Sequence, residues 1–141
     1  MRTPGGLSIS RPMTDRISFP CDEIPQARLV VKRYAQARTH GLEFGNYVTR
    51  DNNEYPLTFD SVSLLVHALA THEFTIVDHA MAQELSVLPL AFGSVILERW
   101  DTLSHRASRF YLSRDNVTKF AGWLRENTPG FKPIELLSQV N

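Results

Sequence analysis

Three histidines in an acidic stretch are the residues of this chain best suited to metal or acid–base chemistry. His67, His72 and His79 lie among carboxylates in the middle of the 141-residue sequence. Imidazole and carboxylate groups together form the ligand sets that zinc and other transition metals prefer. His67 and His72 are five positions apart, so on one helix they would project about 140° from each other. A metal-dependent enzyme that uses these histidines is therefore the third of three functions that the sequence suggests. Its metal site would need ligands from two separate secondary-structure elements.

Motifs for covalent or phosphate chemistry do not accompany the histidines. Asp78 and His79 are adjacent, and neighbouring side chains on a helix point in different directions, so the pair is not a catalytic dyad by sequence. No serine lies in a Gly-x-Ser-x-Gly motif, and the glycines lack the strand–loop–helix setting and the lysine of a phosphate-binding loop. Cys21 is the single cysteine, which excludes an internal disulfide. We predict no catalytic residue and no cofactor.

Basic and aromatic residues are interleaved in the last third of the chain. Arginine and lysine can hold a phosphate backbone while nearby aromatic rings stack on bases, so this segment predicts nucleic-acid binding as an alternative function. The zero net charge of the whole chain gives no general attraction to nucleic acid, which makes this partner less favoured than a protein. The residues expected to bind in this alternative are Arg109, Arg114, Lys119 and Arg125.

Charge is distributed unevenly along the chain. Residues 1–50 carry eight basic and four acidic side chains, residues 51–98 carry seven acidic and no basic ones, and residues 99–141 carry seven basic and four acidic ones. One interpretation is that the basic flanks fold back on the acidic middle around a shared core. The other is an acidic surface that meets a basic partner, where charge complementarity gives on-rate and specificity. That surface would consist of Asp51, Glu54, Asp60, Glu73, Asp78 and Glu84.

Length and composition are typical of one globular domain, with 43% hydrophobic and 21% charged residues. The proline- and glycine-containing residues 1–20 predict a flexible arm, and residues 21–141 predict the domain. Residues 1–16 lack the apolar stretch that a secretory signal needs, so we expect none. The longest apolar run, residues 85–97, is interrupted by Pro89 and is shorter than the roughly 20 residues that cross a bilayer. We expect a soluble cytoplasmic protein.

Apolar spacing predicts helices in the first half of the chain. Ala27, Val30, Val31 and Tyr34 recur at helical intervals, which predicts a helix over about residues 22–39. Helical spacing also follows Asp60, which can serve as N-cap, and it predicts a helix from residue 60 that ends around residues 71–73.

Two central segments fit either a helix or a strand. Residues 76–85 have helical spacing, although β-branched residues favour a strand over residues 74–77. Residues 90–103 fit a helix, with a strand over residues 94–100 as the alternative. We predict helices in both cases.

The remaining segments predict strands and a well-delimited helix. Alternation predicts an edge strand at residues 16–19 and a hairpin over residues 42–58 that turns at 51–53. A strand at residues 108–112 precedes a helix capped by Ser113 or Asp115 that ends at Thr128–Gly130. A short last helix is expected from Pro133. The sequence predicts an α+β fold in which four to five helices make up most of the structure, together with a small antiparallel sheet.

The sequence therefore predicts a small non-catalytic binding or regulatory protein. It would act as an accessory protein through protein contacts at the acidic central segment, and it would also form a homo-oligomer. Nucleic-acid binding by the basic last third is the alternative function.

Overall fold

The computed structural model describes residues 13–46 and 54–134, which form two four-stranded antiparallel sheets and two helices. The first sheet contains neighbouring strands in chain order. Its strands are β1 (Met13–Pro20), β2 (Ala27–Tyr34), β3 (Thr39–Asn46) and β4 (Glu54–Thr58). A 3₁₀ turn at Phe59–Ser61 then leads into helix α1 (Val62–Thr71).

The second half of the chain repeats this order of elements. Its sheet also has its strands in chain order, and a 3₁₀ turn at Ala91–Gly93 separates the second strand from the third. The strands are β5 (Thr75–Ala80), β6 (Gln83–Pro89), β7 (Val95–Asp101) and β8 (Arg106–Leu112), and the helix is α2 (Arg114–Glu126). The described fold is thus a four-stranded meander followed by a helix, twice over.

The predicted α+β fold with a helical majority is wrong, because the described chain has only two α-helices and is mostly β-structure. The helix predicted over residues 22–39 is strand β2, in which Leu29 and Val31 are buried and Arg28 and Lys32 face the opposite side. Positions i and i+4 share a face in both a helix and a strand, so the apolar spacing was compatible with either. Pairing with β1 and β3 on both sides stabilises the strand.

The two central segments are also strands rather than helices. Residues 76–85 belong to β5 and β6, which are joined by a tight turn in which Met81 and Ala82 have φ angles of 51° and 64°. Residues 95–101 form β7. The strand alternatives for residues 74–77 and 94–100 are confirmed, because β-branched side chains fit a pleated sheet better than a helix.

Several local predictions are confirmed. β1 is the edge strand, β3 and β4 pair as a hairpin, and the helix predicted after Asp60 is α1. Asp60 as its N-cap is wrong, because Asp60 lies in the 3₁₀ turn and α1 begins after Ser61 without a side-chain cap. The residues predicted to turn this hairpin, 51–53, lie outside the described part of the chain. β8 is the strand predicted at residues 108–112. α2 begins after Ser113, whose side chain accepts a hydrogen bond from the Asn116 N–H at 3.4 Å. Of the predicted last helix, only residues 133–134 are described, and they are not helical.

Each helix packs against the sheet formed by the other half of the chain. Phe120 of α2 packs edge-on against Phe19 of β1, with ring centroids 5.8 Å apart. α1 contacts β5 and β6 of the second sheet and also contacts α2. The two sheets meet where Phe44 of β3 packs 6.4 Å from Phe110 of β8. These contacts form one core, in which each half of the chain covers apolar surface of the other.

Neither of the described helices has the length and apolar character that crossing a membrane requires.

Candidate functional site

A groove lies between the C-terminal end of α1 and one face of α2. It has a volume of about 240 Å³, and we call it the interhelical groove. Its lining comes from α1 and the residue after it, from the Ala91–Gly93 turn, and from α2. The lining residues are Leu69, Ala70, His72, Gly93, Arg114, Val117, Thr118, Ala121 and Arg125.

The helical repeat of α2 places an arginine at each end of this groove. Arg114, Thr118, Ala121 and Arg125 are spaced at i, i+4, i+7 and i+11, so they share one face of α2. Eleven residues of helix separate the two arginine Cα atoms by about 16 Å along the axis. The buried stripe of α2 runs alongside this face, and it fixes the face against the rest of the domain.

Neither of the two arginines forms an ion pair within residues 13–46 and 54–134. The guanidinium groups of Arg114 and Arg125 make no hydrogen bond or ion pair there. His72 ends α1 in a left-handed conformation, with φ 57°, and its Nε2 is buried without a hydrogen-bond partner. Guanidinium groups are donors only, and a neutral imidazole nitrogen can donate one hydrogen. The groove is therefore lined by two guanidinium groups whose donors suit an anion.

The turn at Ala91–Gly93 holds an aromatic ring in solvent beside Arg114. Phe92 is 92% exposed and has a left-handed backbone, with φ 59°. The turn is closed by the Leu90 N–H, which donates to the Ser94 carbonyl at 2.8 Å. Phe92 lines a shallow depression of about 380 Å³ together with Ser113, Arg114 and Asp115. Arg114 thus borders both the depression and the interhelical groove.

Other exposed apolar side chains lie at the same end of the second sheet. Thr75 pairs with Val87, and Pro89 pairs with Val95, so the start of β5 and the end of β6 adjoin. Phe74 is 60% exposed and Leu90 is 41% exposed at this end. We call Phe74, Leu90 and Phe92 the apolar rim.

Glu54, predicted to belong to an acidic surface, lies in a hydrogen-bonded cluster on the first sheet. Lys32 Nζ donates to Glu54 at 2.8 Å and contacts Glu43 at 3.1 Å, and the Tyr34 hydroxyl donates to Glu54 at 3.0 Å. The hydrogen bond to Glu54 raises the pKa of Lys32. A Cβ on Gly41 would come 2.3 Å from Glu54 Oε1, so only glycine leaves room for this carboxylate.

Asp78 connects the two halves of the chain. Its carboxylate accepts hydrogen bonds from the Tyr55 hydroxyl at 3.1 Å and from Ser61 Oγ at 2.9 Å. Burial is the main cause of a raised pKa at Tyr55, and the negative charge of Asp78 adds to it. Both oxygens of Asp78 therefore have donors inside the fold.

The remaining predicted acidic residues are spread over different elements. Asp60 is exposed on the first 3₁₀ turn, and Glu73 is exposed between α1 and β5. Glu84 of β6 lies 3.7 Å from His79 Nδ1. Asp51 lies outside the described residues. The described acids thus occupy five separate elements of the chain.

The predicted metal ligands are likewise distributed over the fold. His67 is on α1, His72 lines the interhelical groove, and His79 is on β5. Within the described ranges, no three histidine, cysteine, aspartate or glutamate side chains are close enough together to hold a metal ion.

The structure divides the four predicted nucleic-acid residues between different surfaces. Arg109 of β8 pairs with Glu98 of β7, with Nε 2.7 Å from Oε2. Lys119 is exposed and, by helical geometry, projects about 140° away from Arg114. Arg114 and Arg125 share the interhelical groove. Sequence reasoning missed Phe92, because it placed residues 90–103 in a helix, whereas Ala91–Gly93 is a turn.

His40 is a buried titratable group apart from the groove. It is fully buried on β3, and its Nε2 lies 2.8 Å from Thr128 Oγ1. Its ring packs against Phe59 and Trp123, with centroid distances of 4.9 Å and 5.4 Å. Burial lowers the pKa of His40 to about 4, and the positive charge of Arg33 acts in the same direction. His40 is neutral in the folded protein at pH 7.

Comparison with known proteins gives no relative: no protein family, curated protein or solved structure matches this chain.

Proposed function

We propose that this protein is a non-catalytic binding protein whose interhelical groove holds an anionic partner. The observation that supports the proposal best is the shared lining of the groove by two guanidinium groups that make no hydrogen bond or ion pair within the described ranges. Arginine presents a planar fork of donors that matches phosphate and carboxylate oxygens.

The spacing of the arginines favours an extended partner. About 16 Å of helix separates the Cα atoms of Arg114 and Arg125, so a partner with several negative charges can contact both side chains along the groove. Leu69, Val117 and Ala121 contribute apolar surface between them. A partner that covers this surface excludes water, which strengthens its attraction to the arginines. A chain with several negative charges therefore suits the groove better than a single ion.

The acidic central segment supports a contact surface less well. Glu54 and Asp78 accept hydrogen bonds within the fold, and Glu84 lies near His79. Carboxylates that already have donors gain less from a basic partner, because forming the complex exchanges one contact for another. Asp60 and Glu73 are exposed but lie on different elements.

We place the protein in the cytoplasm, where Cys21 would persist as the free buried thiol that it is here.

Binding to a fluorescent inorganic polyphosphate tests the proposal. We expect wild-type protein to bind at low salt, and the double variant Arg114→Glu, Arg125→Glu to bind at least tenfold more weakly. Arg106→Glu is the matched control, because Arg106 is exposed at the opposite end of the second sheet. An equal loss in the control and the groove variant, or no wild-type binding at any salt concentration, would contradict the proposal.

A further inference from the structure

We infer that the partner in the interhelical groove is a single-stranded nucleic acid, with its phosphates along the arginines and a base stacked on Phe92. The inference rests on the proposed function and names the class of ligand for the same site. It draws on the apolar rim, which anion binding alone does not require.

Phe92 presents an aromatic face to solvent. Its ring is 92% exposed, and its backbone is left-handed, which is uncommon for a bulky residue. Because the ring is exposed, packing into the hydrophobic core does not explain the backbone conformation that projects it. The left-handed backbone belongs to the turn between β6 and β7, which hydrogen bonds from the Leu90 and Ser94 N–H groups close, so it is the exposure of the ring that points to a contact made outside the protein.

The position of Arg114 links the ring to the groove. Arg114 and Phe92 border the same depression, and Arg114 also lines the interhelical groove. A strand whose phosphate contacts Arg114 would carry the attached base toward Phe92, since each nucleotide joins a phosphate to a planar ring. Asp115 adds a carboxylate to the depression, and this charge disfavours a second phosphate there. The depression is therefore the place for a base.

The rest of the apolar rim favours a single strand over other polyanions. Phe74 and Leu90 are also exposed at this end of the second sheet. Bases in a duplex are stacked on each other and offer no free face, whereas unpaired bases stack on aromatic side chains. An acidic polypeptide would use the arginines but would leave the aromatic rings unused. The combination of arginines and exposed rings thus matches single-stranded nucleic acid best.

The test compares two labelled strands by fluorescence anisotropy: a thymidine 12-mer and an abasic 12-mer with the same phosphates. Stacking of one base on an aromatic side chain is expected to make the thymidine strand bind about tenfold more tightly to wild type. Phe92→Ala should lower this ratio to near one, and Phe92→Trp should restore it. Leu103→Ala is the matched control, because Leu103 is 81% exposed at the far end of the second sheet.

The outcomes separate the inference from the proposed function. If the two strands bind equally and Phe92→Ala has no effect, the nucleic-acid inference fails while polyphosphate binding still supports the anion-binding groove. If polyglutamate displaces the thymidine strand as well as an unlabelled strand does, the partner is an acidic polypeptide and the inference also fails. If wild type binds neither strand nor polyphosphate, both proposals fall. Melting temperatures close to wild type for the Phe92 variants establish that they are folded.

Discussion

Arg114 lies against the bare Cα of Gly93: a Cβ at position 93 would come within 2.9 Å of Arg114 Cγ and 3.0 Å of Arg114 Cδ. Gly93 also has a φ of 80°, which a side chain disfavours. The turn that exposes Phe92 and the arginine at the end of the groove are therefore coupled through one glycine.

Gly93→Ala should weaken both the fold and anion binding. We expect a loss of about 1–2 kcal/mol in the free energy of unfolding from the left-handed backbone, together with weaker polyphosphate binding because Arg114 must move. Gly130→Ala is the control, since Gly130 has a φ of 78° and nothing within 4 Å of the added carbon. Urea unfolding and anisotropy measure the two effects. A Gly93 variant that binds as tightly as the Gly130 variant would contradict the coupling.

Stability should fall in acid because of His40. Its folded pKa of about 4 lies below the ordinary value of 6.5, so below pH 6.5 the unfolded chain binds a proton that the folded chain rejects. The free energy of unfolding is therefore unaffected by His40 above pH 6.5. It falls by about 3 kcal/mol as the pH is lowered from 6.5 to 4.

Urea unfolding at several pH values between 7 and 4 measures this loss. The exposed His105 supplies the control: His105→Gln should retain the pH dependence, and His40→Gln should flatten it. An unfolding free energy of wild type that stays constant over this range would show that His40 is not the source.

Removing the Asp78 carboxylate should destabilise the protein rather than only change its surface charge. Asp78→Ala leaves the fully buried Tyr55 hydroxyl without its acceptor, which costs about 1–3 kcal/mol. Adding Tyr55→Phe should recover part of that loss, because it deletes the unpaired hydroxyl. Glu73→Ala, at an exposed position, should change the melting temperature little. Equal stability of the Asp78 and Glu73 variants would refute a bridging role for Asp78.

Salt dependence should report how many phosphates the groove neutralises. For a single strand, each phosphate contact contributes about −0.7 to the slope of log K against log salt, so two arginines give about −1.4. Arg125→Gln should halve the slope while leaving the Phe92 stacking contribution intact. A slope unchanged by this substitution would mean that Arg125 makes no phosphate contact.

Both described helices and several strands of this fold were predictable. α1 and α2 have apolar residues at helical spacing, so sequence periodicity identified both. β2 was mistaken for a helix because Ala27 and Val31 lie on one face in either structure. The β5–β6 turn is formed by Met81 and Ala82 with positive φ, whereas the usual sequence signal for such a turn is asparagine or glycine. No local pattern marked it.

The candidate site was predictable only in part. Arg114 and Arg125 were among the residues expected to bind nucleic acid, since basic residues near aromatic ones suit it. The groove could not be foreseen, because its lining joins Leu69 and His72 to a helix far along the chain. Phe92 was hidden for a different reason: its exposure depends on a turn that hydrophobic periodicity does not encode.

The exchange of helices between the sheets has a consequence for how the protein is made. Phe19 and His40 of the first sheet pack against Phe120 and Trp123 of α2, so the first half of the nascent chain leaves the ribosome with its apolar face uncovered. It can complete its core only after α2 has been synthesised. Two fragments divided between Thr71 and Thr75 should each aggregate when produced alone and should assemble into one native domain when produced together.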